Sequence, residues 1–346
     1  MKRLFFWACM AIIYVSFAGC RDWQGNSASI VVPEAILADS TVADTVVITL
    51  PFKEKLLTAA DIILTKDLLY DQYTLEDSYP YKDTVRSFKW EVIRNCLAYI
   101  ENMQRDTARW VVLQNYKNQN REAPLVRQFV RDAYRRISDT LGVERYQSVP
   151  LYLLTDTVVP ERYGRDGTLA HLVGEEGGFY RIRPATLENE WWAPRRYLKL
   201  LSDTILFNHV VFVDRLDQNI TALERIGKNE WKIRSMNPAT TGRRAPPYAQ
   251  ETPLGMYLLQ QQKSRMVFLK DGSSETGGYA PYASRFTNGA YIHGVPVNVP
   301  RTAMIEYSAS LGTTPRSHMC VRNATSHAQF IFEWAPVERS LVVVIE

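Results

Sequence analysis

The chain predicts an α+β protein, helical toward its N-terminus and mostly β toward its C-terminus. Three observations carry that expectation. Between about residues 54 and 145, apolar side chains recur every three or four positions, the period of an amphipathic helix. From about residue 148 the pattern shortens to brief apolar runs punctuated by Gly174 and Gly177-Gly178. Beyond about residue 204 such runs continue with few helical periods between them, as in a mostly-β domain.

At the N-terminus, Lys2 and Arg3 precede an almost wholly apolar run over residues 4–17, and Phe17-Ala18-Gly19-Cys20 then sets small residues before a cysteine. A run of that length is short for a membrane span but suits a secretory signal. The ending resembles the lipobox of bacterial lipoproteins. That resemblance implies a signal peptide over 1–20, diacylation at Cys20 and a mature chain tethered to a membrane. The alternatives are an ordinary signal cut nearby or an uncleaved anchor. Residues 21–53, rich in Ser, Thr, Asp and Val, are expected to be a tether with one short strand over 45–50. The expected location is the cell envelope, lipid-anchored and facing the periplasm.

The helical region is expected over 54–147. Val85, Phe88, Val92, Cys96, Ile100 and Met103 form one stripe, and Leu125, Phe129, Val130, Tyr134, Ile137 and Leu141 a second. Both read as core faces of packed helices. Of the four cysteines, Cys9 lies in the signal and Cys20 at the lipidation position, which leaves Cys96 and Cys320. One disulfide between them is conceivable in an exported protein. Cys96 lies on the first stripe, however, and reads as a small buried hydrophobe. Cys320 then remains as a thiol available for chemistry.

Strands are expected over 149–154, 169–173, 178–182 and 191–201. The run Gly178-Phe179-Tyr180-Arg181-Ile182, followed by Trp191-Trp192, resembles the closing strands of bacterial SH3-like barrels. This gives a small β domain over 148–203. Further on, 210–213 and 220–223 read as a hairpin. Strands over 231–236, 256–259, 266–269, 330–332 and 341–345 follow. An apolar share of 46% supports substantial cores, and a net charge of +4 spread along the chain does not imply a nucleic-acid partner.

The chemistry concentrates in two segments, Tyr291-Ile292-His293-Gly294 and Ser317-His318-Met319-Cys320-Val321-Arg322. A cysteine that meets a histidine in the fold has the minimal parts for acyl transfer through a thioester. Metal binding by His293, His318 and Cys320 is disfavoured, since no Cys-x-x-Cys or His-x-x-x-His spacing accompanies them. A papain-like endopeptidase places its cysteine before its histidine, the reverse of the order here. No Gly-x-Ser-x-Gly elbow points to a serine hydrolase.

The ordered set, with Thr252-Pro253-Leu254-Gly255-Met256-Tyr257, Pro281-Tyr282 and Phe286 upstream, resembles the YkuD-type L,D-transpeptidase catalytic domain. The resemblance covers residues 204–346. It implies peptidoglycan stem peptides as partners and needs no cofactor or metal; the oligomeric state is left open. By resemblance Cys320 is the nucleophile and His293 the base, with Gly294 orienting the imidazole through its carbonyl. The backbone N–H groups around Met319 and Cys320 become the oxyanion donors, and Ser317 and His318 shape the pocket. Arg322 holds the loop or meets a substrate carboxylate.

Two departures stand out. Met319 occupies the family's glycine position, and residues 294–316 form a long connection expected to lie over the cleft as a lid. A hydrolytic outcome (L,D-carboxypeptidase) and a non-catalytic wall-binding lipoprotein are the competing readings.

Overall fold

The computed structural model describes residues 55–105 and 109–346. The signal segment, Cys20 and the tether with its expected strand lie outside the described residues. Among the described residues, no helix is long and apolar enough to cross a membrane.

A six-stranded sheet forms the centre. Its order is Ile63–Lys66, Glu230–Pro238, Asn219–Gly227, His209–Asp214, Ser340–Ile345 and Gly255–Leu258. Both faces are covered, which is why its inner strands read as unbroken apolar runs. The strand period of two divides them cleanly. Val210 and Phe212 with Leu341, Val343 and Ile345 face one core, while Val211 and Val213 with Val342 and Val344 face another.

Over the first face lies α1, Trp90–Arg105, which inserts Ile93, Cys96, Leu97 and Ile100. Over the second lies a smaller sheet ordered Gln261–Leu269, Thr276–Thr287, Ala290–His293 and Val321–Arg322. The helix α2, Thr325–Trp334, adds Ile331 to the same core. A third layer is a five-stranded sheet ordered Trp191–Pro194, Phe179–Pro184, Leu169–Glu176, Arg109–Leu113 and Leu198–Leu200. Its core is built from residues such as Val111, Leu151, Ile182 and Tyr197.

The expectation of a helical region over 54–147 is corrected. Only residues 92–103 of the first stripe are helical, in α1, while Val85 lies in the short strand Thr84–Ser87. Ile63–Lys66 joins the central sheet in parallel beside Glu230–Pro238, and Arg109–Leu113 is an inner strand of the third layer. The second stripe is a hairpin, Phe129–Arg131 against Ile137–Asp139.

The reason lies in Asp132. Its carboxylate accepts hydrogen bonds from the backbone N–H groups of Tyr134 and Arg136 and from the Ser138 hydroxyl. That gives the backbone a turn in place of a helical ladder. Leu125, Phe129, Val130 and Leu141 point to solvent, so the helical spacing among them buries nothing. Residues 330–332, expected as a strand, belong to α2.

Candidate active site

Ala290–His293 and Val321–Arg322 lie side by side in parallel, with Ile292 opposite Val321 and His293 opposite Arg322. Ile292 and Val321 are buried in the core between the two sheets. Alternation then turns Tyr291, His293 and Arg322 toward the opposite face. Cys320, one residue before Val321, falls on that face as well. Residues separated by 27 positions in the chain thus come together through strand register.

His293 is buried, and its Nδ1 lies 2.6 Å from the carbonyl oxygen of Gly294. A carbonyl can only accept, so Nδ1 carries the proton and Nε2 is left as the basic nitrogen. Burial pulls the pKa of this imidazole down to about 4; the Gly294 contact opposes the shift and the Arg322 charge adds to it. The Cys320 thiol is partly accessible and donates to the carbonyl of Gly289 at 3.6 Å. Burial raises its pKa, against smaller opposing effects from the Tyr291 backbone and Arg322. At neutral pH the resting pair is therefore a neutral thiol and a neutral imidazole.

The loop 317–320 is clamped from several sides. Ser317 donates its hydroxyl to the Cys320 carbonyl. The backbone N–H groups of Arg316 and Ser317 both reach the Thr241 carbonyl, at 2.9 and 3.0 Å. Thr252 accepts from Gly242 N–H and donates to the Met319 carbonyl, each at 2.8 Å. Met319 is held at φ 86°, a left-handed conformation that costs a side-chain-bearing residue about 1–3 kcal/mol. The backbone thus keeps a glycine-like course at this position, and the surrounding hydrogen bonds hold a methionine to it.

The other expected site residues are placed as follows. His318 is exposed on the outside of the loop, its Nδ1 3.4 Å from Asp271 Oδ1. Gly294 is wedged so tightly that a Cβ would come within 2.7 Å of Thr325 Oγ1 and 2.9 Å of Pro281 Cγ. Arg322 is largely enclosed, and no hydrogen-bond partner reaches its Nε.

Residues 294–316 are tied down along their length. Val297–Asn298 pairs with Thr276–Thr287. Tyr279 donates to the Thr302 carbonyl at 2.7 Å, and Thr325 Oγ1 donates to the Ile305 carbonyl at 2.7 Å. The Tyr307 ring packs on Tyr73 at 4.5 Å. The segment walls a cavity of about 370 Å³ beside Arg322. Among the described residues, no group of three or more His, Cys, Asp or Glu side chains is arranged to hold a metal ion.

Sequence reasoning missed Gly242 and did not assign Thr252 its part in clamping the loop. The Thr-Pro-x-Gly turn marked Thr252. Gly242 carries no local signal, because its constraint comes from residues distant in sequence. A Cβ on Gly242 would meet the Gln250 carbonyl oxygen at 2.3 Å and the Met319 backbone at 2.7 Å. Gly242→Ala is therefore expected to shift the loop and slow thiol-dependent turnover by about 100-fold, the scale set by a 1 Å misplacement of a reacting group. Single-turnover acylation with a thiol-reactive substrate, beside an unfolding curve, checks this. Wild-type acylation kinetics in a folded variant would show that the loop is not clamped through Gly242.

Residues 208–345 match the family model of the YkuD L,D-transpeptidase catalytic domain, and this part of the chain is such a domain. Solved structures similar to the chain include three L,D-transpeptidases. One from Mycobacterium smegmatis is 16% identical, over 51% of this chain and 82% of that one, with a TM-score of 0.33. One from Mycobacterium tuberculosis H37Rv is 18% identical, over 53% and 92%, with a TM-score of 0.33. L,D-transpeptidase 3 from Mycobacterium tuberculosis, in complex with a faropenem-derived adduct, is 18% identical over 51% and 79%, with a TM-score of 0.32. No curated protein matches the chain.

Proposed function

We propose that the protein is a peptidoglycan L,D-transpeptidase that works through a thioester on Cys320. The observation that carries this reading is the strand pairing that sets His293 and Arg322 side by side and turns Cys320 toward the same face. The L,D-transpeptidase domain over residues 208–345 supports the reaction class.

In the first half-reaction, His293 Nε2 takes the thiol proton as sulfur attacks the carbonyl at the L-centre of a stem diamino acid. The backbone N–H groups at Met319 and Cys320 stabilise the oxyanion. The C–N bond then breaks, the imidazolium returns its proton to the leaving D-alanine amine, and a thioester remains. An acceptor amine from a second stem loses a proton to His293, forms the new amide and releases the thiol. Water in place of the amine gives carboxypeptidase activity.

Neutral resting partners mean that the proton moves during attack. Arg322 lies on the reacting face, and its cation favours the developing thiolate. A lipid on Cys20 would hold the domain at the envelope membrane, within reach of the wall.

The test is mass spectrometry of tetrapeptide muropeptides incubated with wild-type protein and with Cys320→Ala. A dimer linked between two diamino-acid residues, absent with the variant, is the expected result. Cys320-dependent loss of D-alanine alone would make the protein a carboxypeptidase. Identical product patterns from both folded proteins would overturn the thioester reading.

A further inference from the structure

The third layer lies outside residues 208–345, yet one of its loops reaches the reacting cysteine. After the strand Arg109–Leu113, residues 115–121 turn back on themselves. Lys117 and Arg121 stand there at φ 53° and 82°, left-handed values disfavoured for long side chains. Hydrogen bonds hold them to it. The buried Asn115 donates its amide to the carbonyls of Arg121 and Ser148, at 3.0 and 2.7 Å, and accepts from Asn120 N–H at 3.0 Å. Lys117 N–H donates to Gln147 Oε1 at 2.9 Å, and Gln147 N–H to Asn118 Oδ1 at 2.8 Å. A strained loop pinned this firmly fixes the place of the side chain it carries inward, Tyr116.

Tyr116 meets the sheet that carries His293. Its ring centroid is 4.2 Å from the Arg285 guanidinium, and Arg285 is the strand partner of Tyr291. The Tyr116 hydroxyl is 3.5 Å from that of Tyr291. That is long for an O–H···O bond, as catalytic contacts often are before substrate binds. Tyr291 stands beside Cys320, one residue back from the pairing of Ile292 with Val321. Its phenol is buried and keeps its proton: burial pushes its pKa up, Tyr116 and the Cys320 charge add to that, and Arg285 opposes it. Lys263 Nζ lies 5.9 Å from the Tyr291 ring centroid.

We propose that Tyr116 is a positioning residue for the reaction at Cys320, anchoring the Tyr291 hydroxyl beside the thiol, so that the third layer is part of the reacting centre. The proposal rests on the reading of Cys320 as the nucleophile. A phenol beside a thiol can turn its O–H toward the sulfur or away from it, and the Tyr116 oxygen draws it away. The sulfur proton is then left to His293. Released from Tyr116, the Tyr291 O–H would donate to the sulfur, favour the thiolate and blunt its attack.

Tyr116→Phe tests this, because it keeps the ring under Arg285 and removes only the hydroxyl. Alkylation of Cys320 by iodoacetamide, followed by mass spectrometry as a function of pH, needs no peptide. Its midpoint should fall by about half a unit in Tyr116→Phe. In a Tyr291→Phe background the same change should move nothing, since the hydroxyl it acts through is gone. With tetrapeptide, kcat should fall about fivefold while KM stays about the same, the weight of one ordinary hydrogen bond. Melting curves verify that each variant is folded.

An unchanged or raised midpoint in Tyr116→Phe, or the same shift with and without the Tyr291 hydroxyl, would overturn the proposal. So would wild-type kcat in a variant whose parent turns over. Failure of the acyl-transfer reading looks different. Wild-type protein then releases no D-alanine from tetrapeptide, while the alkylation profiles still decide whether Tyr116 acts on the thiol.

Discussion

Asp166→Ala is expected to destabilise the protein by about 3–5 kcal/mol, because it strands a buried cation. Asp166 Oδ2 lies 2.7 Å from Arg285 Nη1 and accepts from Gln260 Nε2 at 3.0 Å. Its Oδ1 accepts from the backbone N–H of Asn115 at 2.8 Å. Both ends of the ion pair are nearly inaccessible, at 1% and 8% side-chain exposure. Asp166 sits beside the third layer, whereas Arg285 belongs to the smaller sheet that carries His293 and Gln260 immediately precedes its strand Gln261–Leu269. The pair therefore bolts residues 109–200 to the catalytic sheets.

The effect should extend toward the site. The Arg285 guanidinium also stacks over Tyr116 at 4.2 Å, and the Tyr116 hydroxyl is 3.5 Å from that of Tyr291, the residue across from Cys320. Urea unfolding of Asp166→Ala, and of Asp166→Ala with Arg285→Met, tests the argument. The double variant should recover most of the loss, since no charge is left unpaired. A single variant within 1 kcal/mol of wild type would mean the pair does not hold the layers together.

Most of the central sheet is legible in the sequence for one physical reason. Strands covered on both faces write themselves as continuous apolar runs, and Ser340–Ile345 and His209–Asp214 are of that kind. Cys320 and His293 stand out as candidates because residue types with few alternative uses occur in a recognisable order. What failed was decided by contacts distant in sequence. The 129–141 stripe had helical spacing, yet the Asp132 turn governs it locally. Residues 330–332 look like a short strand, but they are one turn of a helix whose buried side is completed by Thr325, His327 and Ala328. The Thr252–Gly242 clamp on Met319 and the Asp166 anchor each join segments that no local pattern connects.

Acidification should weaken the fold sharply below pH 6.5, and two buried histidines set the window. His293 has its pKa pulled to about 4 and His327 to about 3, both chiefly by burial. His327 is wholly buried, with Nε2 2.9 Å from Ser235 Oγ and its ring 4.9 Å from that of Tyr70. Neither ring nitrogen of either histidine is bonded to a carboxylate among the described residues.

In the unfolded chain both imidazoles titrate near 6.5. Above that value neither state binds the proton and the full stability is present. As the pH falls below 6.5 the unfolded state takes up protons that the native state refuses, so stability drops until the folded pKa values are passed. For His293 the gap corresponds to about 3 kcal/mol, and His327 adds a comparable amount.

Urea midpoints at pH 7, 5.5 and 4.5 should fall progressively, and His327→Gln should flatten roughly half of that slope. The same depression keeps His293 neutral, hence able to accept the Cys320 proton, down to about pH 5. Turnover per folded molecule should therefore hold where global stability is already declining. Imidazole NMR signals from His293 and His327 that stay fixed between pH 7.5 and 5 would bear this out. A His293 signal titrating near 6.5 would instead place the imidazole in water and remove the basis for a neutral resting pair.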